Sequence, residues 1–560
     1  MGVYFWIPCV ARGGDYLLAL TDLPTCPGLF YGSQARDGVL SRMRIPGGIL
    51  NAQQCRTIAD VADQYSTGCL QVTNRANLQI REVNSEIAPE VWNRLQELGI
   101  ASRRVEVDPI RNIMASPTAG IDRQQLLDTR PLVKAWDDYL QTHSELSELS
   151  PKFSIGLDGG ESVSIQALRN DILLAAEGLS TQSEIFFRLH LNGDTGILIP
   201  ESQCISVLAA LASTYLEYTK NRPRIDGKKP RLRHLLADWG AERYLERVQQ
   251  NLPFLWQFTS CTFPKNSQDA CSTKSEFPCG VGILPARSID FPKNRQDACS
   301  TKSEFPCGVG ILPARSIDSS AGAIEQSRHL GIHPQRQSDL SYMGIALPLG
   351  RLESKQLRNL ANLAKNLASG TLRLTPWQNL LISDIPNSQL FEVKQQIADL
   401  GLHSSATRLD SCLVACAGSS GCASAATDTQ SHALAMVRDL AQKLTIDLPI
   451  NIHFSGCQKS CAQHQPIDIT LVGIQIERGH ETIEGYDIYA GRKDLPFGRP
   501  IFQAVSAIEM PRAIERMLQV YQRLREPLES FGEFIDRRAI DQLQELLSTE
   551  NRNRKRKNIP

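Results

Sequence analysis

With 560 residues, the chain is long enough for several domains. Lysine plus arginine and aspartate plus glutamate number 60 each, so no net field draws it to nucleic acid. No apolar run approaches the roughly 18 residues of a membrane helix, and the expectation is a soluble cytoplasmic protein.

The N-terminal run Met1-Gly-Val-Tyr-Phe-Trp-Ile-Pro8 has no basic start and is broken by proline, unlike a secretory leader. Residues 1–24 are set aside as an N-terminal extension. After Leu50, Ile58, Ala59, Val61 and Ala62 make the apolar stripe of a helix. Leu70, Val72, Leu78 and Ile80 then alternate as strands do. The pattern returns later in the chain. Pro46-Gly-Gly48, Gln54, Arg56 and Ala59 match Pro348-Leu-Gly350, Gln356, Arg358 and Ala361. Gly68, Thr73, Asn77 and Ile80 match Gly370, Thr375, Asn379 and Ile382. Every pair is offset by 302. Two related α/β modules about a pseudo-twofold axis are expected, with a ligand cleft at their seam. The halves differ where Arg75 faces Trp377, which suggests an anionic ligand held on one side.

Further helices are expected where Leu132, Ala135, Trp136, Tyr139 and Leu140, and Leu434, Val437, Leu440, Ala441 and Leu444, follow helical spacing. Between the halves, Phe263 to Asp290 recur as Phe291 to Asp318, 28 residues per copy, differing only at Ser267 against Arg295. The unit is rich in Pro, Gly and Ser, without amphipathic period, and reads as a disordered insertion. Its cysteines, Cys271, Cys279, Cys299 and Cys307, have no histidine nearby. The basic tail Asn551 to Lys557 is of a kind that is usually solvated.

The chemistry concentrates at Cys416 and Cys422, with five residues between them, and Cys457 and Cys461, with three. Two close pairs of thiolates can hold a four-iron cluster, one cysteine per iron. Gly418 and Gly421 would let the first loop fold tightly against an inorganic core. A helix opening at Cys457 would put Cys461 on the same face. Structural zinc sites use shorter gaps than the first one here, and fifteen cysteines without a secretory leader argue against disulfides. On spacing alone, cluster, zinc and unrelated core thiols all stay open.

Several motifs together resemble the nitrite/sulfite reductase superfamily. They are Pro46-Gly-Gly48, Thr73-Asn-Arg75-Ala-Asn77-Leu-Gln-Ile-Arg81, Arg111-Asn112-Ile, Asp128-Thr-Arg130-Pro, Lys152-Phe-Ser154, Thr375 to Asn379 and both cysteine pairs. The resemblance implies an α/β (α+β) class with a duplicated architecture: two ferredoxin-like modules alternating with two larger α/β modules. The expected bounds are 25–105 and 335–404 for the ferredoxin-like half-domains, and 106–258 and 405–548 for the reductase-like domains, the last holding the cluster. The insertion takes 259–334 and the tail 549–560.

Within the superfamily, Cys26-Pro-Gly28, Asp37-Gly38-Val-Leu40, Ser116-Pro-Thr-Ala-Gly120 and Thr375-Pro-Trp377 look like the precorrin-3B synthases of aerobic cobalamin biosynthesis. That likeness implies a monooxygenase hydroxylating precorrin-3A at C20 with γ-lactone formation. It would use dioxygen, NADH or NADPH, a 4Fe-4S cluster on Cys416, Cys422, Cys457 and Cys461, and a mononuclear non-haem iron whose ligands the sequence does not single out. Tetrapyrrole carboxylates would meet Arg75, Asn77, Arg81, Arg111, Asn112 and Lys152, arginine offering a planar fork. The alternative is a ferredoxin-dependent nitrite or sulfite reductase with sirohaem. There, a basic cage of two arginines and a Lys-x-Lys pair holds the oxyanion. Arg75, Arg111 and Lys152 match three of its members and Ser154 replaces the fourth, which disfavours sulfite. A third reading is a non-catalytic electron carrier. His453 and His464, near the cluster in sequence, are expected to be structural.

Overall fold

Asn51 caps the helix Ala52–Tyr65 through a reciprocal pair: its side chain accepts the Gln54 N–H at 2.9 Å, and Gln54 accepts the Asn51 N–H at 2.8 Å. Ile58, Ala59, Val61 and Ala62 are buried on that helix, as their spacing requires. The computed structural model describes residues 7–10, 16–19, 28–30, 32–85, 87–178, 184–225, 227–258, 327–464, 467–491 and 497–547. The 28-residue repeats, Cys26 and the basic tail lie outside the described residues.

Strands β1 (Ile7–Val10) and β2 (Tyr16–Ala19) pair antiparallel within the stretch set aside as an extension. The first half-domain follows: β3 (Ser33–Ala35), β4 (Gly38–Met43), β5 (Ile49–Asn51), β6 (Cys69–Val72) and β7 (Leu78–Val83). Next come β8 (Ile113–Ala115), β9 (Ile155–Asp158), β10 (Ile172–Gly178), β11 (Ile185–His190), β12 (Asp194–Pro200) and β13 (Gln257–Phe258). They form one sheet in the order β13-β12-β11-β10-β9-β8, with β8, β9 and β10 parallel. The helices Arg130–Thr142, Cys204–Lys220 and Leu232–Gln250 cover the sheet. On the first of them Leu132, Val133, Trp136 and Leu140 are buried and Ala135 is exposed.

The second half repeats the plan with β14 (Gly331–Pro334), β15 (Leu340–Ile345), β16 (Arg351–Glu353), β17 (Thr371–Leu374) and β18 (Leu380–Pro386). It ends in the sheet β19 (Leu413–Ala415), β20 (Ile452–Ser455), β21 (Ile469–Arg478), β22 (Glu481–Ala490) and β23 (Arg499–Ser506), ordered in sequence. Again the first three strands are parallel. Ile452 and Phe454 face the core under the helices Thr429–Leu440 and Met510–Leu524. His453 and Ser455 therefore face the opposite side of the sheet. On Thr429–Leu440 the buried face is Ala433, Met436 and Leu440; Leu434 and Val437 pack at its margin, and the helix ends before Leu444.

The two halves exchange strands. β5 joins the second half's sheet beside β17, with Asn51 opposite Thr371, and β16 joins the first half's sheet beside β6, with Glu353 opposite Cys69. The exchange keeps the 302-residue offset: Ala52 N–H donates to Gly370 C=O and Ser354 N–H to Gly68 C=O, both at 2.9 Å. Gly48 has φ 73°, and a Cβ there would stand 2.8 Å from the Leu374 carbonyl. Its counterpart Gly350 has φ 68° and would meet the Val72 carbonyl at 2.9 Å. Only glycine fits either place. One apolar core runs through both half-domains, from Ile58, Leu70 and Ile80 to Leu360, Leu372 and Ile382. The seam expected to be a cleft is thus filled by shared strands and side chains.

Candidate active site

Parallel strands β19 and β20 lie side by side with Ala415 opposite Phe454, so the loops that follow them leave the sheet at one end. That end of a parallel sheet is where ligands gather in open α/β folds. Cys416 and Cys422 stand on the first loop, separated by one helical turn, Gly418–Gly421. Cys457 and Cys461 stand on the second. No helix forms there: Ser460 has φ 51°, and residues 457–461 make a turn instead. Backbone sets the spacing of the second pair.

The glycines of the first loop answer to protein neighbours. A Cβ on Gly418 would stand 2.7 Å from the Thr429 nitrogen, and one on Gly421 would stand 2.6 Å from the Arg81 guanidinium. The loops are stitched together: Ala426 N–H donates to Gly456 C=O at 2.7 Å, and Gly456 N–H donates to Cys416 Sγ at 3.1 Å. All four thiols are free. Burial raises the Cys461 thiol, and Cys457, Cys416 and Cys422 add their repulsion. Four sulfurs that repel one another in one place call for positive charge between them, which iron supplies.

A turn of the first half-domain reaches this loop. Asn74 Nδ2 donates to the carbonyls of Cys461 and Ala462, both at 3.1 Å. Next to it, Arg75 donates to Asn170 Oδ1 at 3.0 Å and to the Arg169 carbonyl at 3.1 Å. Both acceptors are neutral. Burial pulls the Arg75 guanidinium below its usual range, with Asp171 opposing. His464, exposed to the same space, is lowered by burial and then by Arg169, Arg75, Lys152 and Arg231. Lys152 also acts on Cys461. Arg231 Nε is buried and lacks a hydrogen-bond partner among the described residues. Asp171 opposes two of these cations: it acts on Arg75, and its oxygen lies 3.8 Å from Arg231. The space beside Cys461 is therefore suited to an anion.

The structure separates the other residues singled out in the sequence. Arg81 forks onto Asp37 at 2.8 and 2.5 Å, against the Gly418–Gly421 turn. Arg111 forks onto Asp137 at 2.7 and 2.9 Å, on the wall of a separate cavity of about 190 Å³ with Gln54 and Lys134. Asn77 and Asn112 bond to each other at 3.2 Å, and Asn77 also accepts the Ile45 N–H at 2.8 Å. Of the six, Arg75 and Lys152 share the space beside Cys461. Arg169, Asn170, Asp171, Arg231 and His464 join them without having been singled out as ligands. Arg169 next to Asn170-Asp171 was the visible signal, but a single arginine in a loop is usually solvated.

Models of protein families match along most of the chain. The nitrite/sulfite reductase ferredoxin-like half domain matches residues 32–98 and 333–400. The nitrite and sulphite reductase 4Fe-4S domain matches 106–254 and 412–555. The chain belongs to the nitrite/sulfite reductase family.

Among relatives of that family, a ferredoxin–nitrite reductase of Synechococcus elongatus is 28% identical over 508 residues, covering 88% of each chain. A second, from Leptolyngbya laminosa, is 27% identical over 83% of this chain and 82% of its own. A "Sulfite reductase [ferredoxin] 2" of Mycolicibacterium paratuberculosis is 25% identical over 90% of this chain and 83% of its own. The solved structure of the Mycobacterium tuberculosis NirA protein shares the fold, with a TM-score of 0.68 at 23% identity, over 90% of this chain and 84% of that one.

The matched family domain is described as a 4Fe-4S domain, and Cys416, Cys422, Cys457 and Cys461 are the residues that would fit such a cluster. This chain's first match to that domain, residues 106–254, lacks such cysteine pairs. Ser116 follows β8 as Cys416 follows β19, and after β9 Gly160 and Ser164 stand where Cys457 and Cys461 stand after β20. Among the described residues, no three His, Cys, Asp or Glu side chains close around a single metal ion. The mononuclear iron expected from the sequence thus has no ready ligand set there, whereas thiolates around a four-iron core are spaced more widely than ligands of one ion. No helix among the described residues is long and apolar enough to cross a membrane.

Proposed function

We propose that the chain is a ferredoxin-dependent reductase of a small oxyanion, nitrite before sulfite, working with sirohaem beside the four-iron cluster. The observation that carries this reading is that the Asn74-Arg75 turn is bonded to the carbonyls of Cys461 and Ala462 on one side and, through Arg75, to Arg169 and Asn170 on the other, with the charges of Arg169, Arg75, Lys152 and Arg231 all acting on His464. An anion drawn there stands beside the electron source. Bound sirohaem would supply the iron on which the oxyanion is reduced. Arg75 and Lys152 would hold the oxyanion, His464 would border it, and Arg169 and Arg231 would meet the acidic arms of the macrocycle. Arg75 fits that duty because its protein partners are neutral acceptors, which leaves its charge for a ligand.

The relatives compared carry nitrite- or sulfite-reductase names and give ferredoxin as donor. They favour this conclusion over the tetrapyrrole hydroxylase suggested by motifs in the sequence, and ferredoxin over a nicotinamide. Nitrite is preferred because Ser154, two residues after Lys152, brings no charge and Arg111 is held by Asp137 at a separate cavity, so that two members of the expected cage add no positive charge to the site. The test is anaerobic purification, an absorption spectrum and nitrite consumption with reduced ferredoxin. Strong Soret and visible bands with nitrite turnover are expected. A protein without sirohaem that adds labelled oxygen to precorrin-3A would restore the hydroxylase reading.

A further inference from the structure

The segment Leu168–Asp171 ties the cationic site together. The Arg169 carbonyl and Asn170 Oδ1 hold the Arg75 guanidinium. Asp171 Oδ2 accepts the Ser154 N–H at 3.1 Å and its hydroxyl at 3.4 Å, and Ser154 Oγ accepts the Asp171 N–H at 3.1 Å. Ile172 N–H donates to the Ser154 carbonyl at 3.2 Å. One carboxylate thus anchors the loop that carries Lys152 and faces Arg231 at 3.8 Å. Its side chain is 11% exposed, so little solvent screens it.

We propose that Asp171 is a specificity-determining residue that lowers the net positive charge of the anion site and so favours singly charged over doubly charged oxyanions. The proposal rests on the oxyanion-reductase reading and deepens it. Coulomb energy is linear in ligand charge. A fixed carboxylate near the site therefore penalises a dianion twice as much as a monoanion at the same place. Ser154, bonded to that carboxylate, adds no compensating charge. The site keeps enough cations to draw nitrite, and Asp171 weighs most heavily against fully ionised sulfite.

The experiment compares wild type, Asp171→Asn and Asp171→Glu, purified with whatever prosthetic group they carry. Nitrite and sulfite are titrated calorimetrically at alkaline pH, where sulfite is doubly charged, with Soret shifts as a second reading. Asn keeps an acceptor for the Ser154 N–H and removes the charge. Both anions should bind the Asn variant more tightly, and the gain for sulfite should be about the square of that for nitrite, a threefold gain pairing with about ninefold. The Glu variant should keep the wild-type ratio. Equal gains, or equal losses for both anions, would overturn the proposal, since a purely structural Asp171 moves both alike. Should Asp171→Asn fail to fold, Asp171→Ser, a shorter neutral acceptor, carries the same comparison. Wild type lacking sirohaem would count against the reductase reading alone, because the calorimetric ratio is measured on the protein as purified.

Discussion

Asn77 and Asn379 make the same hydrogen bond in the two halves: each side-chain oxygen accepts the N–H of the residue before a proline turn, Ile45 at 2.8 Å and Leu347 at 3.0 Å. Each also closes its own turn, with Thr73 N–H donating to the Asn77 carbonyl and Thr375 N–H to the Asn379 carbonyl, both at 2.9 Å. A residue singled out as a ligand group in one half is thus, in both halves, a brace for the exchanged strand. Asn77→Ala and Asn379→Ala should each cost about 1–3 kcal/mol, the penalty of leaving a buried N–H unpaired. Urea midpoints check this. Loss of stability in the Asn379 variant alone would return Asn77 to a pure ligand role.

Arg75 and Arg111 should part company on substitution. Arg111→Ala leaves Asp137 without its guanidinium and the fully buried Asp108 with Arg44, 3.9 Å away, to balance it. It should destabilise the fold by about 3–5 kcal/mol. Arg75→Ala gives up two neutral acceptors and part of the charge facing Asp171, which keeps Arg231 at 3.8 Å; it should cost clearly less, about 1–2 kcal/mol, and lose most of its affinity for nitrite. Paired denaturation and anion titration distinguish the two.

Cys457→Ser should remove the cluster, because Cys461, the other thiol of that turn, would already be committed to an iron of its own and cannot replace Cys457. Metal analysis of the anaerobically purified protein should fall by about four irons per chain from a total of about five, four of the cluster and one of sirohaem. Full iron content in this variant would move the cluster elsewhere.

Glu161 gives a pH signature. Burial first, then Asp158, pushes its carboxyl from 4.5 up to about 8, while the Gly159 N–H bonds it at 2.7 Å. Between those values the folded chain holds a proton that the unfolded chain has released, so stability falls as pH rises. Glu161→Gln removes this dependence and keeps the acceptor. Its melting temperature should draw ahead of wild type steadily from pH 5 to pH 8, and a constant difference across that range would contradict the assignment.

The duplication was legible because 302 separates residues of the same type at turn glycines, Thr73 and Asn77. The cysteine pairs were legible because their spacing suits a cluster. The strand exchange was not. Ile49–Asn51 and Arg351–Glu353 are three residues long and carry no alternation to read. The turn at Cys457 was read as a helix because spacing cannot show the positive φ of Ser460. Arg111 was grouped with Arg75 because nothing local reveals that Asp137, a full helix later, claims it. The anchoring by Asp171 is likewise a tertiary fact, joining a loop end to Ser154 seventeen positions earlier.

Because each half lends its neighbour a sheet edge, neither is complete by itself. A polypeptide cut between them would have to reassemble from two pieces, each with an empty slot shaped for the other. The link between the halves only has to span the gap, and the entropy of closing a longer link grows as the logarithm of its length. Two extra 28-residue copies in that link should cost only about 1–2 kcal/mol, roughly 0.6 kcal/mol for each doubling of its length. Gene rearrangement can lengthen such a tether at little thermodynamic expense.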